Sequence, residues 1–194
     1  MVQPGDLIQN PVTGERAVFL QTGEETGGEV LQFNLFAEPG GFPTAEHVHP
    51  AQTEHFLVQA GELCLQRQGE ERIYREGEAT TIPPGTPHFW WNSGDSKLQA
   101  RVELRPAGRF ASFLTSLFAL AQEGKTDDEG MPSLLQLAVM MDAYKDTIYP
   151  ASPPRPVQKI LFAILAPIGR WLGYRADYPY PDDKKGRVVL EELG

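Results

Sequence analysis

Apolar and polar residues alternate along several short stretches in the first half of the chain. In Val30–Phe36 and in Leu98–Arg105 they alternate position by position, so one face of each stretch is mainly apolar. Such alternation is typical of a β-strand with one buried side. Shorter apolar stretches at Asp6–Ile8 and Arg16–Gln21 precede them, and glycines recur between the later ones. Many short strands separated by turns predict an antiparallel sandwich or closed barrel rather than a parallel α/β sheet.

After Pro106 the apolar spacing changes from two residues to three or four, which predicts helices. A first helix covers residues 110–121 and ends before Gly124. A second helix is expected to start after Ser133, a residue type that caps helix N-termini. Its predicted apolar face consists of Leu134, Leu137, Ala138 and Met141.

A third helix is predicted over residues 157–172, after a proline-rich linker and before a stop at Gly173. Pro167 is expected to kink this helix or to end it early. The predicted apolar side consists of Ile160, Leu161, Ile164, Leu165, Ile168, Trp171 and Leu172. We expect the three helices to pack on the barrel or across a dimer interface. Two alternatives are that a helix covers the barrel mouth as a lid, or that residues 157–172 lie on a membrane surface.

The overall charge restricts the partners. The 194 residues include 26 acidic and 17 basic side chains, which give a formal net charge of -9. This balance argues against a nucleic-acid partner and disfavours a membrane partner. The single cysteine, Cys64, excludes an internal disulfide and suits a reducing compartment, and no leader peptide is recognisable at the N-terminus. We therefore expect a cytoplasmic protein, and a homodimer is the expected assembly.

Three histidines and one glutamate form a candidate metal-binding set. His47 and His49 are two residues apart, so on a strand both imidazoles would point to the same side. An antiparallel neighbouring strand would bring Glu54 beside them, and His88 would arrive from a later strand. A mixed set of imidazole and carboxylate ligands suits one divalent transition metal, namely Fe, Mn, Ni, Zn or Cu.

The spacing of these residues resembles that of the cupin superfamily. The first cupin motif, G-x5-H-x-H-x3,4-E-x6-G, is matched by the stretch from Gly41 to Gly61, which contains His47, His49 and Glu54. The second motif, G-x5-P-x-G-x2-H-x3-N, is matched at Gly77, Pro83, Gly85, His88 and Asn92. Both motifs occur in the expected order, and the resemblance covers roughly residues 30–106.

The resemblance implies a mainly β protein with a cupin-type antiparallel jelly-roll barrel that holds the metal inside. We expect the barrel to cover residues 1–107 and a helical C-terminal extension, packed on the barrel, to cover residues 108–194. The superfamily includes dioxygenases, isomerases, decarboxylases, binding modules and storage proteins, so the fold alone does not choose the chemistry.

Side chains of a strand alternate between its two faces, and this parity of position extends the prediction to residues around the metal. His55 follows Glu54 on the opposite strand face, so a surface or supporting role is expected rather than ligation. Phe56 and Val58 share the parity of Glu54, and Trp90 shares that of His88. These three side chains would line an apolar pocket or fill the barrel core, two outcomes that the sequence leaves equal. Gln52 and Tyr74 are candidates for polar contacts in the same pocket.

The leading functional hypothesis is a metal-dependent enzyme, dioxygenase-like or an isomerase, that acts on a small hydrophobic or aromatic molecule. In it Glu54 stays a metal ligand or also serves as a base. The alternatives are a non-catalytic module that binds or senses a small molecule, and a mainly structural oligomer. The first alternative arises because no further acid, base or nucleophile stands out in the sequence.

Overall fold

The computed structural model describes residues 2–41 and 43–190, and its main feature is a pair of facing antiparallel sheets. The alternation of buried and exposed side chains predicted for Leu98–Arg105 is confirmed, whereas in Val30–Phe36 Asn34, on the predicted polar face, is buried as well. Strand β3 (Leu31–Ala37) pairs along its whole length with β10 (Leu98–Arg105). In β10 every second side chain, from Leu98 to Leu104, is buried, and the intervening ones are partly exposed.

The strands form one larger and one smaller sheet. The larger sheet has the order β12-β1-β2-β3-β10-β5-β8. Its remaining strands are β1 (Asp6–Gln9), β2 (Arg16–Gln21), β5 (Thr53–Ala60), β8 (Ala79–Ile82) and β12 (Gly186–Arg187). The smaller sheet has the order β11-β4-β9-β6-β7. It consists of β4 (His47–Val48), β6 (Glu62–Arg67), β7 (Glu70–Arg75), β9 (His88–Asn92) and β11 (Tyr149–Pro150).

Apolar side chains from both sheets fill the space between them and form one continuous core with the helices. This arrangement is the jelly roll that the sequence predicted. Cys64 is a buried core residue on β6, as small hydrophobic side chains commonly are. Gly61, Gly77 and Gly85 all have φ near +80°, so these motif glycines serve turns that other residues adopt only with strain.

Three helices follow the last long strand, as the change in apolar spacing predicts. They are α1 (Phe110–Gln122), α2 (Leu134–Ala143) and α3 (Arg155–Trp171). Gly124 and Gly173 follow α1 and α3 with positive φ, which confirms the two predicted stops. None of the described helices is long and apolar enough to cross a membrane.

The structure differs from the helix predictions in three details. Ser133 occupies the N-cap position of α2, but its side chain makes no capping hydrogen bond. Leu134, expected on the apolar face of α2, is 60% exposed. Of the two effects expected of Pro167, an early end of α3 does not occur, since the helix continues to Trp171, and a kink stays a prediction.

The buried face of α3 also differs from the predicted one. Its buried residues are Gln158, Phe162, Ala166 and Gly169, while most of the predicted apolar stripe faces solvent. Gly169 explains why this face of α3 packs on α2. A Cβ built there would lie 2.6 Å from Cγ2 of Val139 and 3.0 Å from the Leu135 carbonyl oxygen, both on α2. The two helices therefore approach closely through a residue without a side chain.

Candidate metal centre

The four residues singled out in the sequence meet at one point inside the barrel. One possible ligand atom from each of His47, His49, Glu54 and His88 lies within 4.8 Å of those from the other three. His49, Glu54 and His88 are buried and His47 is half-buried. These distances are short enough for all four groups to bind a single ion after small adjustments.

The elements that position these residues differ from the expectation in two respects. Strand β4 contains His47 but ends before His49, so the two imidazoles do not share one strand. Glu54 lies on β5 in the larger sheet, whereas His47 pairs with His88 in the smaller one. The carboxylate therefore approaches across the interior of the barrel, not along a strand ladder shared with the histidines.

Each of the three imidazoles is oriented by a backbone carbonyl. The Nδ1 atoms of His47, His49 and His88 lie 2.8, 3.0 and 2.9 Å from the carbonyl oxygens of Ala45, Thr147 and Thr86, respectively. A carbonyl only accepts hydrogen bonds, so Nδ1 carries the proton in each case. Each Nε2 is then the nitrogen available for a metal, in the arrangement that metal-bound histidines usually show.

The hydrogen bonding inside the cluster also fits a bound cation. Nε2 of His88 lies 2.8 Å from a carboxylate oxygen of Glu54, while Nε2 of His49 lies 3.8 Å from the same oxygen. The His49 Nε2 atom is buried and has no hydrogen-bond partner among the described residues. A buried polar atom without a partner is costly, and a metal ion at this point would satisfy it.

Burial and the neighbouring charges shift the pKa values of His47, His49 and Glu54 downward and that of His88 upward. Burial, together with the neighbouring His88 and His49, lowers the pKa of His47 to about 3. Burial also lowers the pKa of His49, against the opposing effect of Glu54. For Glu54, burial acts to raise the pKa, but His49 and His88 together lower it to about 2. For His88, burial acts to lower the pKa, but the hydrogen bond that its Nε2 donates to the Glu54 carboxylate raises it.

A cavity of about 540 Å³ opens beside this cluster, and both His47 and Glu54 line it. Phe56 and Trp90, two of the predicted wall residues, line it as well. Side chains from all three helices complete the wall and cover the barrel on this side. The helical contributions are Phe110, Phe113, Leu114, Leu117 and Phe118 from α1, Leu134, Leu137, Met140 and Met141 from α2, and Leu161 and Phe162 from α3.

The other predicted site residues do not line this cavity. Val58 and Tyr74 are buried in the hydrophobic core and are not among the cavity-lining residues. Gln52 is buried too, and its amide donates to the carbonyl oxygens of Pro106 and Ala107, so it fixes the start of the helical extension. His55 points away from the cluster, with Nδ1 2.9 Å from the Thr81 hydroxyl.

Sequence reasoning missed several features of the site. The rings of Phe110 and His49 pack edge to face, with the centroids 5.2 Å apart. Thr147, which orients His49, lies 98 residues away and contributes only its backbone, so no side-chain pattern could reveal it. Glu15 also lines the cavity, and burial raises the pKa of its carboxyl group despite a hydrogen bond from Thr13.

Comparison with known proteins agrees with this description. Residues 36–102 match the family model described as a cupin domain. This stretch contains all four residues of the cluster. The chain therefore contains a cupin domain, with helices at its C-terminal side.

Two kinds of curated relatives are similar to the chain. A probable oxidoreductase, virH, of Hypocrea virens is 28% identical over 156 residues, which cover 72% of this chain and 69% of the relative. Germin-like protein 3-5 of Oryza sativa subsp. japonica is 33% identical over 105 residues, which cover 48% of this chain. The chain spans 45% of the length of that germin-like relative.

Among solved structures, a predicted oxalate decarboxylase from Thermotoga maritima is 18% identical with a TM-score of 0.45. That match covers 47% of this chain and 80% of the other. A sugar phosphate isomerase from a cupin superfamily, from Silicibacter pomeroyi, is 24% identical with a TM-score of 0.44. It covers 56% of this chain and 69% of the other.

Proposed function

We propose that this protein is a metal-dependent oxidoreductase, dioxygenase-like, that acts on a small apolar or aromatic molecule. The observation that carries the proposal is the position of the His/Glu cluster in the wall of an apolar cavity that is lined partly by the helices. A ligand in the cavity would lie directly against the two lining members of the cluster, His47 and Glu54. The similarity to a probable oxidoreductase supports the same reaction class.

In this proposal His47, His49, Glu54 and His88 hold one divalent transition metal. Such an ion, with four protein ligands, supplies a Lewis acid with open positions for O2 or substrate. The three carbonyl hydrogen bonds keep the imidazoles in the correct tautomer and orientation before the metal binds. Orientation fixed in advance favours tight and specific binding.

Glu54 is proposed as a ligand rather than as a base. Its neighbours hold the pKa of its carboxyl group at about 2, so it is ionised at neutral pH and has little affinity for a proton. The negative charge also offsets part of the charge of a bound cation. The proposal thus assigns Glu54 the first of the two roles, ligand or base, that the sequence leaves open.

The wall of the cavity defines the class of substrate. Aromatic and aliphatic side chains such as Phe56, Trp90 and Phe113 favour an apolar body by removing its surface from water. The same walls exclude bulk water from the reacting end of the molecule, which strengthens electrostatic interactions there. Glu15, a protonatable carboxyl in the lining, offers one polar contact to a hydroxyl or similar group on the substrate.

Metal analysis of the purified protein tests the proposal most directly. We expect about one transition-metal ion per chain in the wild type, and at least about 100-fold weaker binding in His49→Ala. His55→Ala is the matched control, because His55 follows Glu54 but binds Thr81 on the other face. It should retain the metal fully. Equal metal content in both variants would refute the assigned ligand set.

The reaction is tested with the metal-loaded protein and a panel of apolar aromatic compounds. We expect oxygen consumption that depends on both metal and compound and is lost in His49→Ala. Ligand binding without any oxygen consumption or product would favour a non-catalytic binding module instead.

A further inference from the structure

Helix α3 presents an apolar surface to solvent. Val157, Ile160, Ile164, Ile168 and Trp171 follow one another at spacings of three and four residues and therefore form one stripe. Ile160 is 65% exposed, Ile164 57% and Trp171 84%. A stripe of this length is unusual on the solvent side of a helix, where polar residues normally lie.

This stripe is not the face that holds α3 on the protein. The opposite face, with Phe162, Ala166 and Gly169, is buried and packs closely on α2. The helix is thus fixed in place by one side while its other apolar side stays exposed. Folding of the chain accounts for the first face but leaves the second without a partner among the described residues.

The charged side chains within the chain segment that carries the stripe are all basic. Residues 147–176 carry four basic side chains and no acidic one, whereas all 26 acidic residues of the chain lie outside this segment. At 100° per residue, Lys159 and Arg170 lie along one edge of the exposed surface of α3. Arg170 is partly neutralised by Asp142 at 2.6 Å, while Lys159 has no ion pair within 4 Å among the described residues.

Helix α3 also contributes to the wall of the cavity. Leu161 and Phe162 of α3 line the cavity, and Pro153, just before the helix, lines it as well. Leu134 on α2 is both a lining residue and 60% exposed. An apolar compound that leaves a lipid phase at α3 would therefore meet the cavity wall on the same helix.

We propose that α3 is a docking surface for an anionic lipid membrane and lies parallel to it. The stripe would enter the boundary between headgroups and acyl chains, with Trp171 at the level typical of interfacial tryptophans. Lys159 and Arg170 would face anionic headgroups. A second copy of the chain fits this surface less well, because pairing α3 with its own copy would bring these like charges together.

Vesicle flotation of the full chain tests this inference. The probes are phosphatidylcholine vesicles with and without roughly 30% phosphatidylserine. We expect the wild type to float with the anionic vesicles, and Ile164→Glu to bind on the order of tenfold more weakly, because it loses an apolar side chain that would insert into the lipid. Lys159→Glu should weaken binding to anionic vesicles only, and added salt should do the same.

The matched control is Ile73→Glu, which makes the same change at a 40% exposed position on β7, away from α3. It should float as the wild type does, and circular dichroism should show that both variants are folded. Brominated lipids should quench the fluorescence of the wild type but not of Trp171→Phe. Absence of flotation, equal flotation of Ile164→Glu, or a sedimenting dimer that Ile164→Glu dissociates without any vesicle binding would overturn the proposal.

Discussion

Glu54 and His55 are chain neighbours, yet the structure places them in different environments. Glu54 is buried against His88, whereas His55 bonds to Thr81 on the outer side of β5. Alternation along a strand is enough to separate them, so parity alone predicted which residue joins the cluster. The support that His49 receives from the Thr147 carbonyl was not predictable in this way, since any residue could provide it.

The histidines make the metal-free protein sensitive to acid. In the unfolded chain His47 takes up a proton near pH 6.5, but in the folded protein its pKa is about 3. Below pH 6.5 the unfolded state therefore binds more protons, and stability falls as the pH decreases toward 3. We expect the free energy of unfolding of the metal-free protein to be lower at pH 5 than at pH 8.

Urea denaturation at the two pH values measures this effect. His47→Gln should show a smaller difference between pH 8 and pH 5. The lowered pKa of His49 acts in the same direction as that of His47, while the raised pKa of His88 acts in the opposite direction. Stability that is the same at both pH values in the wild type would contradict this account of His47.

At the scale of elements, the strands followed the sequence more closely than the helices did. The alternation of apolar and polar residues predicts the buried face of β10 correctly, because only one face of this strand points into the core. The apolar residues of α3 form two surfaces, and their spacing does not show which of the two packs against the rest of the protein. The surface that contains Gly169 packs, because a residue without a side chain lets α3 approach Val139 on α2 closely. The sequence of α3 alone does not reveal this contact.

Two glycine turns between strands allow a matched test of how much steric clash and positive φ each cost in stability. Gly61 joins β5 to β6 at φ +79°, and a Cβ there would lie 2.7 Å from the Lys97 carbonyl oxygen. Gly69 joins β6 to β7 at φ +83°, with nothing within 4 Å of such a Cβ. We expect Gly61→Ala to destabilise the protein by about 2 kcal/mol or more, from strain and steric clash together.

Gly69→Ala should cost only about 1 kcal/mol, because it adds the strain of positive φ without the clash. Urea denaturation of both variants, compared with the wild type, measures the difference. Equal losses of stability would show that the tight approach at Gly61 has no energetic consequence.

At the scale of the molecule, the helical extension contributes directly to the metal centre. Tyr149–Pro150 forms β11, which pairs with β4 and thus with the strand that carries His47. The Thr147 carbonyl orients His49, and β12 near the C-terminus pairs with β1. The division at residue 107 stays a prediction, and the last four residues of the proposed extension lie outside the described residues.

We therefore expect a chain that ends at residue 107 to fail as a metal-binding domain. It lacks the partner of β4, the support of His49 and the helical wall of the cavity, so apolar core surface would be exposed to water. Circular dichroism should show no cooperative melting transition, or one at a lower temperature than in the full chain. The metal content should fall well below that of the full chain. A cooperative, fully metal-loaded fragment would contradict this dependence.

The sequence by itself determined the jelly-roll barrel, the composition of the metal cluster and the exclusion of His55. These depend on local periodicity and on two motifs whose turns and ligands are close in the chain. Only the tertiary structure decided that Glu54 approaches from the opposite sheet, that Thr147 orients His49, and that the helices wall the cavity. It also decided that the apolar stripe of α3 stays exposed. Such contacts join distant segments, and their selection depends on how side chains fit together rather than on any pattern along one segment.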